Sequence, residues 1–418
     1  MAQVASIRQA FRRNGAARRA RSSLFTRTFL TVAVAELAYF TADGVLLPAL
    51  PRYVEGPLGA GNVAVGIVVG AFSLSAFFLR PWTGRLSDRH GRRIVMIAGA
   101  SLFALSVGGY LVATSIPVLV AMRLLTGVGD ALFFVAALSA NVDLAPEDRR
   151  GEAMSFASLS LYLGIGAGPF IGEVLIAWQG FEAAWVTSIA LAAAAVVLAL
   201  RLPAMRPEQD EVAPERHRLV HHAGLLPGIV LFATIWGMGG FLAFVPLYAL
   251  DVGMGGASLV LGLFAGLVVV IRSVGATIPD RIGPGRAVRV SLVLTSIGLA
   301  VIGLWRTPSG LLVGTFVFGV GIALFTPALF TLALTGISAS ERGAVMGTTS
   351  AFLDLAFGLG PATLGFVAAA IGRDAIFLAG SAVAVAGLAL VAVTRLGGRQ
   401  CARATRLEAS ASNPNSTC

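Results

Sequence analysis

The sequence predicts an all-α integral membrane protein with twelve transmembrane helices in two six-helix repeats. Three observations predict it. Of 418 residues, 56% are hydrophobic and 12% charged, and a soluble domain carries about twice that share of charge. Twelve apolar stretches follow one another along the chain. A single offset of 192 residues links separate landmarks: Asp88-Arg89-His90-Gly91 to Asp280-Arg281-Ile282-Gly283, Arg80 to Arg272, and Gly127 and Gly129 to Gly319 and Gly321. It also links Arg150-Gly151 to Arg342-Gly343, Met154 to Met346, and Gly168-Pro169 to Gly360-Pro361. An offset that long marks duplication of half a large protein, not a solenoid repeat.

In order, the stretches run roughly 28–48, 62–79, 94–116, 117–141, 153–177, 183–200, 225–250, 256–271, 290–305, 308–335, 343–370 and 375–394. About 20 apolar residues cross the hydrocarbon core as a helix, so the short stretches 256–271 and 290–305 are expected to take in flanking residues. Eight of the twelve carry no charge, and many of the 50 glycines lie inside them, as in membrane helices whose small residues let backbones approach. Residues 1–27 form a basic segment, too long and too basic for a cleaved signal. Residues 28–202 make the first six-helix bundle and 225–395 the second. Between them lies a polar linker, 203–224, with His217, His221 and His222. A polar tail, 396–418, follows.

The net charge of +10 suggests nucleic acid until the charges are placed. All 31 basic residues are Arg. With the N-terminus inside, 27 fall on the inner side, Arg52, Arg306 and Arg373 fall outside, and Arg123 lies within a span. This bias satisfies the positive-inside rule. Both termini are therefore expected in the cytoplasm and the chain in the plasma (inner) membrane, with the lipid bilayer as partner and no nucleic acid. The cysteines, Cys401 and Cys418, stand in the tail with no metal-like spacing. The chain has no G-x-x-x-x-G-K-[ST] phosphate loop, so ATP is not expected to be the direct energy source. No metal, cofactor or catalytic set is expected, and no loop is long enough for a soluble catalytic insertion.

Three groups of residues carry mechanism. The loop Gly84 to Arg93 reads G-R-L-S-D-R-H-G-R-R. Gly84 and Gly91 allow close approach and a tight turn, and Asp88 can sit at the positive N-terminal end of another helix. In the fifth stretch, Gly164, Gly168 and Gly172 fall on one face and form a groove for a neighbouring helix, and Pro169 weakens that helix. Inside the spans lie Glu36, Asp43, Arg123, Asp130, Glu173 and Asp354, each costing roughly 2.5–3.5 kcal/mol at a helix centre. Low dielectric disfavours the charged form of a carboxylate, so such an acid is able to carry a proton at neutral pH. Glu36 and Asp354 best fit a cavity role. Asp43 and Glu173 lie near outer ends, where hydration is an equal reading. Asp130 is expected to balance Arg123, two turns away on the same face. Tyr39, Phe40, Tyr162, Trp236 and Phe241 are candidate cavity aromatics, although core packing is the commoner role for each.

These residues resemble the major facilitator superfamily over 25–395, and in particular its twelve-helix drug/proton antiporters. Gly84, Asp88, Arg89, Gly91, Arg92 and Arg93 match the loop signature between helices 2 and 3. Arg123, Gly127 and Gly129 match the helix-4 motif. Gly164-Ile-Gly-Ala-Gly168-Pro169-Phe-Ile-Gly172 resembles the helix-5 motif of proton-driven exporters, and Leu47-Pro48-Ala49-Leu50-Pro51 the end of helix 1 in drug exporters. The resemblance implies that Asp88 meets the start of helix 11 near Gly343. It implies that Arg92 bridges Asp88 to Asp143, and that the set holds an outward-open state. It also implies that the helix-5 face meets the other half near Gly358, Gly360 and Pro361. In the second copy of the loop, Ala276 replaces Gly and Pro284 replaces Arg, so that lock is expected to be weaker or absent.

The reading is a monomeric, proton-coupled exporter of small lipophilic or weakly cationic organic molecules, with no enzyme activity. The alternatives are a sugar or metabolite efflux carrier of the same fold, supported thinly by Asn141 and Gln179, and a non-transporting receptor.

Overall fold

The computed structural model describes residues 24–146, 149–205, 221–274, 282–335, 337 and 341–394. Most of the basic N-terminal segment, linker residues 206–220 with His217, Asp280 and Arg281 of the second loop copy, and the tail with Cys401 and Cys418 lie outside the described residues. Twelve long helices account for nearly all the rest: α1 Arg27–Glu55, α2 Asn62–His90, α3 Arg92–Gly108, α4 Ile116–Leu144, α5 Arg150–Gln179 and α6 Phe181–Leu200, then α7 His222–Asp251, α8 Ser258–Val274, α9 Pro284–Leu304, α10 Pro308–Leu334, α11 Arg342–Ile371 and α12 Asp374–Thr394. A 3₁₀ turn, Gly109–Val112, extends α3.

Each expected stretch centres on one helix, although 94–116 also takes in the 3₁₀ turn, the loop after it and the first residue of α4. Among the described residues, eleven helices are long and apolar enough to cross a membrane, and α8, with 17 residues, is shorter. Helices suit such sequences because lipid offers no partner to backbone N–H and C=O groups. The ends are set by local chemistry. The Thr26 hydroxyl accepts from Phe29 N at 3.1 Å and caps α1, and Thr307 does the same for Gly310 N at the start of α10. Gly91 stops α2 at a backbone φ of +93°, and Gly283, 192 residues on, starts α9 at +84°. Hydropathy alone ended the second stretch at residue 79, but the helix runs to this turn. Arg80, assigned to a loop by the sequence reading, therefore lies within α2. Arg272, just beyond a stretch expected to take in flanking residues, lies within α8.

The duplication is visible in packing. Gly129 of α4 meets Gly99 and Phe103 of α3, and Gly321 of α10 meets Ser291 and Thr295 of α9. Every residue of the second contact stands 192 places after its mate in the first. α1 packs on α5 and α6, α2 on α4, and α3 on α4 and α6. In the second half α7 packs on α11 and α12, α8 on α10, and α9 on α10 and α12. Tyr39, Phe103, Phe133 and Trp185 fill the first core, and Phe241, Phe264, Phe318 and Phe377 the second. The halves meet chiefly through α2 on α11 and α5 on α8. Large apolar side chains point outward, Trp178 at 82% and Leu105 at 74% exposure among them. Such a surface fits lipid rather than water.

Candidate functional site

The contact of α2 with α11 places the central charges. The two helices touch where a β-carbon on Gly365 would meet Asn62, on Gly66 would meet Pro361, and on Gly70 would meet Gly358. Farther along, Arg80 of α2 reaches Asp354 of α11 at 3.1 Å and Asp130 of α4 at 3.9 Å. Its guanidinium also covers the Phe134 ring, 4.9 Å from the centroid. Both carboxylates are buried. One arginine thus joins an acid from each half. Sequence reasoning missed Arg80 as a site residue, although its offset of 192 to Arg272 was the available signal.

The expected pairing of Asp130 with Arg123 does not form among the described residues. Two turns along one helix separate them by about 10 Å. Arg123, also buried, donates from Nε to the Val68 carbonyl at 3.3 Å and covers the Phe72 ring at 4.7 Å. Its Nη1 is buried without a hydrogen-bond partner. Asp43 is partly exposed and lies within electrostatic reach of Arg123 and Asp130. Glu36 stands apart. Its Oε1 accepts from Asn141 Nδ2 at 2.7 Å, and Oε2 and Asn141 Oδ1 are buried without partners. Glu36 and Asp354 therefore belong to different polar groups. Tyr39 stacks on Phe133 with ring centroids 4.0 Å apart, and Tyr39, Phe40 and Phe241 are core residues. Tyr162 and Trp236 are partly exposed.

At one end of the bundle lies the loop 84–93. Arg92 binds Asp88, donates from Nε to Asp143 Oδ2 at 3.0 Å and from Nη1 to Ser87 Oγ at 3.2 Å. The expected Asp88–Arg92–Asp143 bridge is thus present. Arg93 donates to the Leu200 carbonyl at 2.7 Å. Arg89 is exposed. The surroundings of Gly343 lie outside the described residues. In the second copy Pro284 opens α9 and offers no guanidinium for such a bridge.

The opposite end is closed. Arg373, in the turn between α11 and α12, binds Asp251 of its own half and Glu55 of the other, and donates from Nε to Asn62 Oδ1 at 3.0 Å. Glu173 of α5 accepts backbone hydrogens from Ala257 and Ser258 where α8 begins, the latter at 2.9 Å. Reading Glu173 as a hydrated end residue missed this cap. At the loop end, β-carbons on Gly84 and Gly347, which continue the α2 and α11 contact faces, would meet nothing within 4 Å. Among the described residues, the contact between these helices therefore loosens toward the loop. The Arg92 bridge is present with the opposite end closed, and the Asp88 contact near Gly343, on which the outward-open expectation also depends, lies outside the described residues.

The helix-5 expectation also needs correction. Gly164, Gly168 and Gly172 pack on α1 within the first half: a β-carbon on Gly168 would stand 2.5 Å from Gly44 Cα, and one on Gly172 2.6 Å from the Val45 carbonyl oxygen. Gly360 of α11 packs on Trp236 of α7, the second-half copy of the Gly168–Gly44 contact. The half-to-half contacts of these helices use other residues, Gly166 and Phe170 on α8, and Gly358 and Pro361 on α2. The physical reason is that i, i+4 glycine spacing marks a close-packed face without specifying the helix it meets. Pro169 sits within α5 and Pro361 within α11.

Among the described residues no three His, Cys, Asp or Glu side chains cluster to hold a metal ion. The chain matches the profile of the Major Facilitator Superfamily over residues 32–361. It is 27% identical over 382 residues to an uncharacterised MFS-type transporter of Salmonella typhimurium, covering 87% of this chain and 95% of the relative. It is 29% identical over 385 residues to an uncharacterised MFS-type transporter of Pseudomonas aeruginosa, covering 87% and 93%. Its structure is similar to that of a POT family transporter in complex with 5-aminolevulinic acid (TM-score 0.76, 13% identity, 90% of this chain and 96% of that one). It is also similar to the nucleoside transporter NupG (TM-score 0.71, 15% identity, 88% and 99%).

Proposed function

The chain belongs to the Major Facilitator Superfamily and is a multi-pass membrane transporter, and we propose that it uses a proton gradient to export small lipophilic organic molecules. In this reading it works as a monomer in the inner membrane, with both termini and the loop 84–93 in the cytoplasm. Its two six-helix halves rock about the central charges. The structure then corresponds to a cytoplasm-facing state, closed outside by Arg373 and Glu173.

The observation that carries the proposal is the Arg80–Asp354 pair across the halves, at 3.1 Å. Ionised, Asp354 holds Arg80 and ties α2 to α11. A proton on Asp354 removes the charge, weakens the tie and lets the halves part at the outer end. Asp130 shares the same arginine at 3.9 Å, so loss of charge at Asp354 leaves Arg80 to Asp130. Asn141, one of the two side chains that thinly supported a sugar carrier, donates to Glu36.

The test has two steps. An exporter-deficient host expressing the protein is grown on a panel of toxic organic compounds and sugars. A compound that it tolerates is then followed into everted vesicles with and without a pH gradient. Protection against lipophilic compounds with gradient-dependent uptake supports the proposal. Protection against sugars alone favours the metabolite carrier, and uptake indifferent to the gradient replaces antiport with facilitated efflux.

A further inference from the structure

The repeat that relates the halves also relates two contacts across them. Arg272 of α8 stands 192 residues after Arg80 of α2, and Tyr162 of α5 stands 192 before Asp354 of α11. Arg80 meets Asp354 where α2 crosses α11, and Arg272 meets Tyr162 where α8 crosses α5. In the first contact a carboxylate answers the guanidinium at 3.1 Å. In the second the guanidinium covers the Tyr162 ring, 4.7 Å from the centroid, and its Nε and Nη2 are buried without a hydrogen-bond partner. Arg272 has no ion pair among the described residues.

This arginine is not one that merely reaches for lipid headgroups. Val270 and Val274, two residues to either side, are 58% and 84% exposed. Two helical positions turn a side chain by about 200°, so Arg272 lies on the side away from that surface, facing α5. A guanidinium keeps its charge in a protein and always presents N–H donors. A ring face attracts the charge but does not satisfy the in-plane donors. Buried donors left open call for a partner: an ordered water, an ion or a ligand. Tyr162 and Arg272 are partly exposed, and they lie toward the same end of the bundle as the loosened contact between α2 and α11.

We propose that Arg272, backed by Tyr162, binds a carboxylate on the transported molecule, so that the cargo is a lipophilic organic acid rather than a weakly cationic compound. One arginine of the repeat is answered by a built-in acid, Asp354. The other is answered by the cargo. The sequence predicts a lipophilic or weakly cationic cargo because its spans are apolar with few charges, and Arg80 and Arg272 fall just beyond the stretches 62–79 and 256–271. The proposal rests on the exporter reading for the word cargo, and its test rests on binding alone.

Purified protein in nanodiscs is titrated at one pH, with no gradient, with benzoate, 1-naphthoate and octanoate, each beside its neutral primary amide. Thermal unfolding and equilibrium binding are the readouts. At least one acid is expected to bind the wild type about tenfold or more tighter than its amide, the scale of a lost charge-assisted hydrogen bond. Arg272→Gln should abolish that preference, and Arg272→Lys should retain part of it. Tyr162→Asp, which supplies the carboxylate found in the other repeat, should abolish it while the ligand-free protein unfolds no earlier than wild type. Arg289→Gln, on an exposed residue, should change nothing. Equal binding of acids and amides by the wild type overturns the proposal, as does an acid preference that survives Arg272→Gln, or failure of all three acids to bind. If Arg272→Gln does not fold, Tyr162→Asp decides. Because no gradient is present, absence of proton coupling leaves this result untouched, and failure here leaves proton-driven export standing.

Discussion

Replacing Arg373 with Gln should open the closed end of the bundle. Arg373 belongs to the second half, so its links across the halves are those to Glu55 and Asn62, while Asp251 only steadies it. The arginine side chain is 14% exposed and Glu55 42%, so the pair is partly screened and contributes about 1 kcal/mol at most. The guanidinium's bond to the Asn62 amide oxygen, at the same partly screened end, contributes about 1 kcal/mol more. Losing both, about 2 kcal/mol, changes the closed-to-open ratio about 30-fold. Removing the arginine also leaves Glu55 and Asp251 as two uncompensated acids at the same end, which adds to the effect. Spin labels at Pro57→Cys, in the turn after α1, and Gly255→Cys, in the turn after α7, report the separation in a Cys401→Ser, Cys418→Ser background. Pulsed electron spin resonance should show a new long-distance population in the Arg373→Gln protein. Superposable distance distributions for the variant and its parent would refute the assignment of Arg373 as the tie.

Glu173→Ala should shift the same label pair in the same direction, since it removes the cap on α8; a lost cap is worth about 0.5–2 kcal/mol, and an unchanged distribution counts against that role. Gly168→Ala should destabilise the first half by about 1–3 kcal/mol through overpacking, because its β-carbon would meet the α1 backbone at Gly44. Thermal unfolding in detergent checks this, and a wild-type midpoint would show that α1 and α5 adjust freely. Asp88→Asn should slow initial transport while leaving expression intact, since it removes an acid from Arg92 but leaves Asp143. Parallel immunoblots and transport rates decide, and wild-type turnover would remove Asp88 from the mechanism.

The helices were legible because hydropathy and backbone hydrogen bonding act along one segment. Their ends were less so. α2 continues to Gly91 because a helix ends where its backbone finds another partner or a turn, not where the first charge appears. That single misjudgement moved Arg80 from the interior to a loop and hid the pair with Asp354. The Asp88–Arg92–Asp143 bridge came from the resemblance, and Arg92 reaches Asp88 across the Gly91 turn that separates α2 from α3. Asp130 was matched to Arg123 because they share a helix face, yet its arginine comes from α2, and no spacing along α4 carries that information. Glu173 was read from its position near a helix end, whereas its partners are backbone donors of α8, invisible in side-chain identity. The three-glycine face of α5 announced close packing, but only the folded chain shows that α1 fills it.

The most direct test of the coupling proposed for Asp354 uses everted vesicles and a substrate identified by the growth panel. Uptake driven by a pH gradient is measured beside counterflow without one, for the wild type, Asp354→Asn and Glu36→Gln. An amide keeps the shape of the protonated acid but has no proton to release. Asp354→Asn should therefore lose gradient-driven uptake and retain a substantial part of counterflow. Glu36→Gln should be milder, because Glu36 pairs with Asn141 within one half. Full gradient-driven uptake by Asp354→Asn would contradict the account, whatever the behaviour of Glu36→Gln.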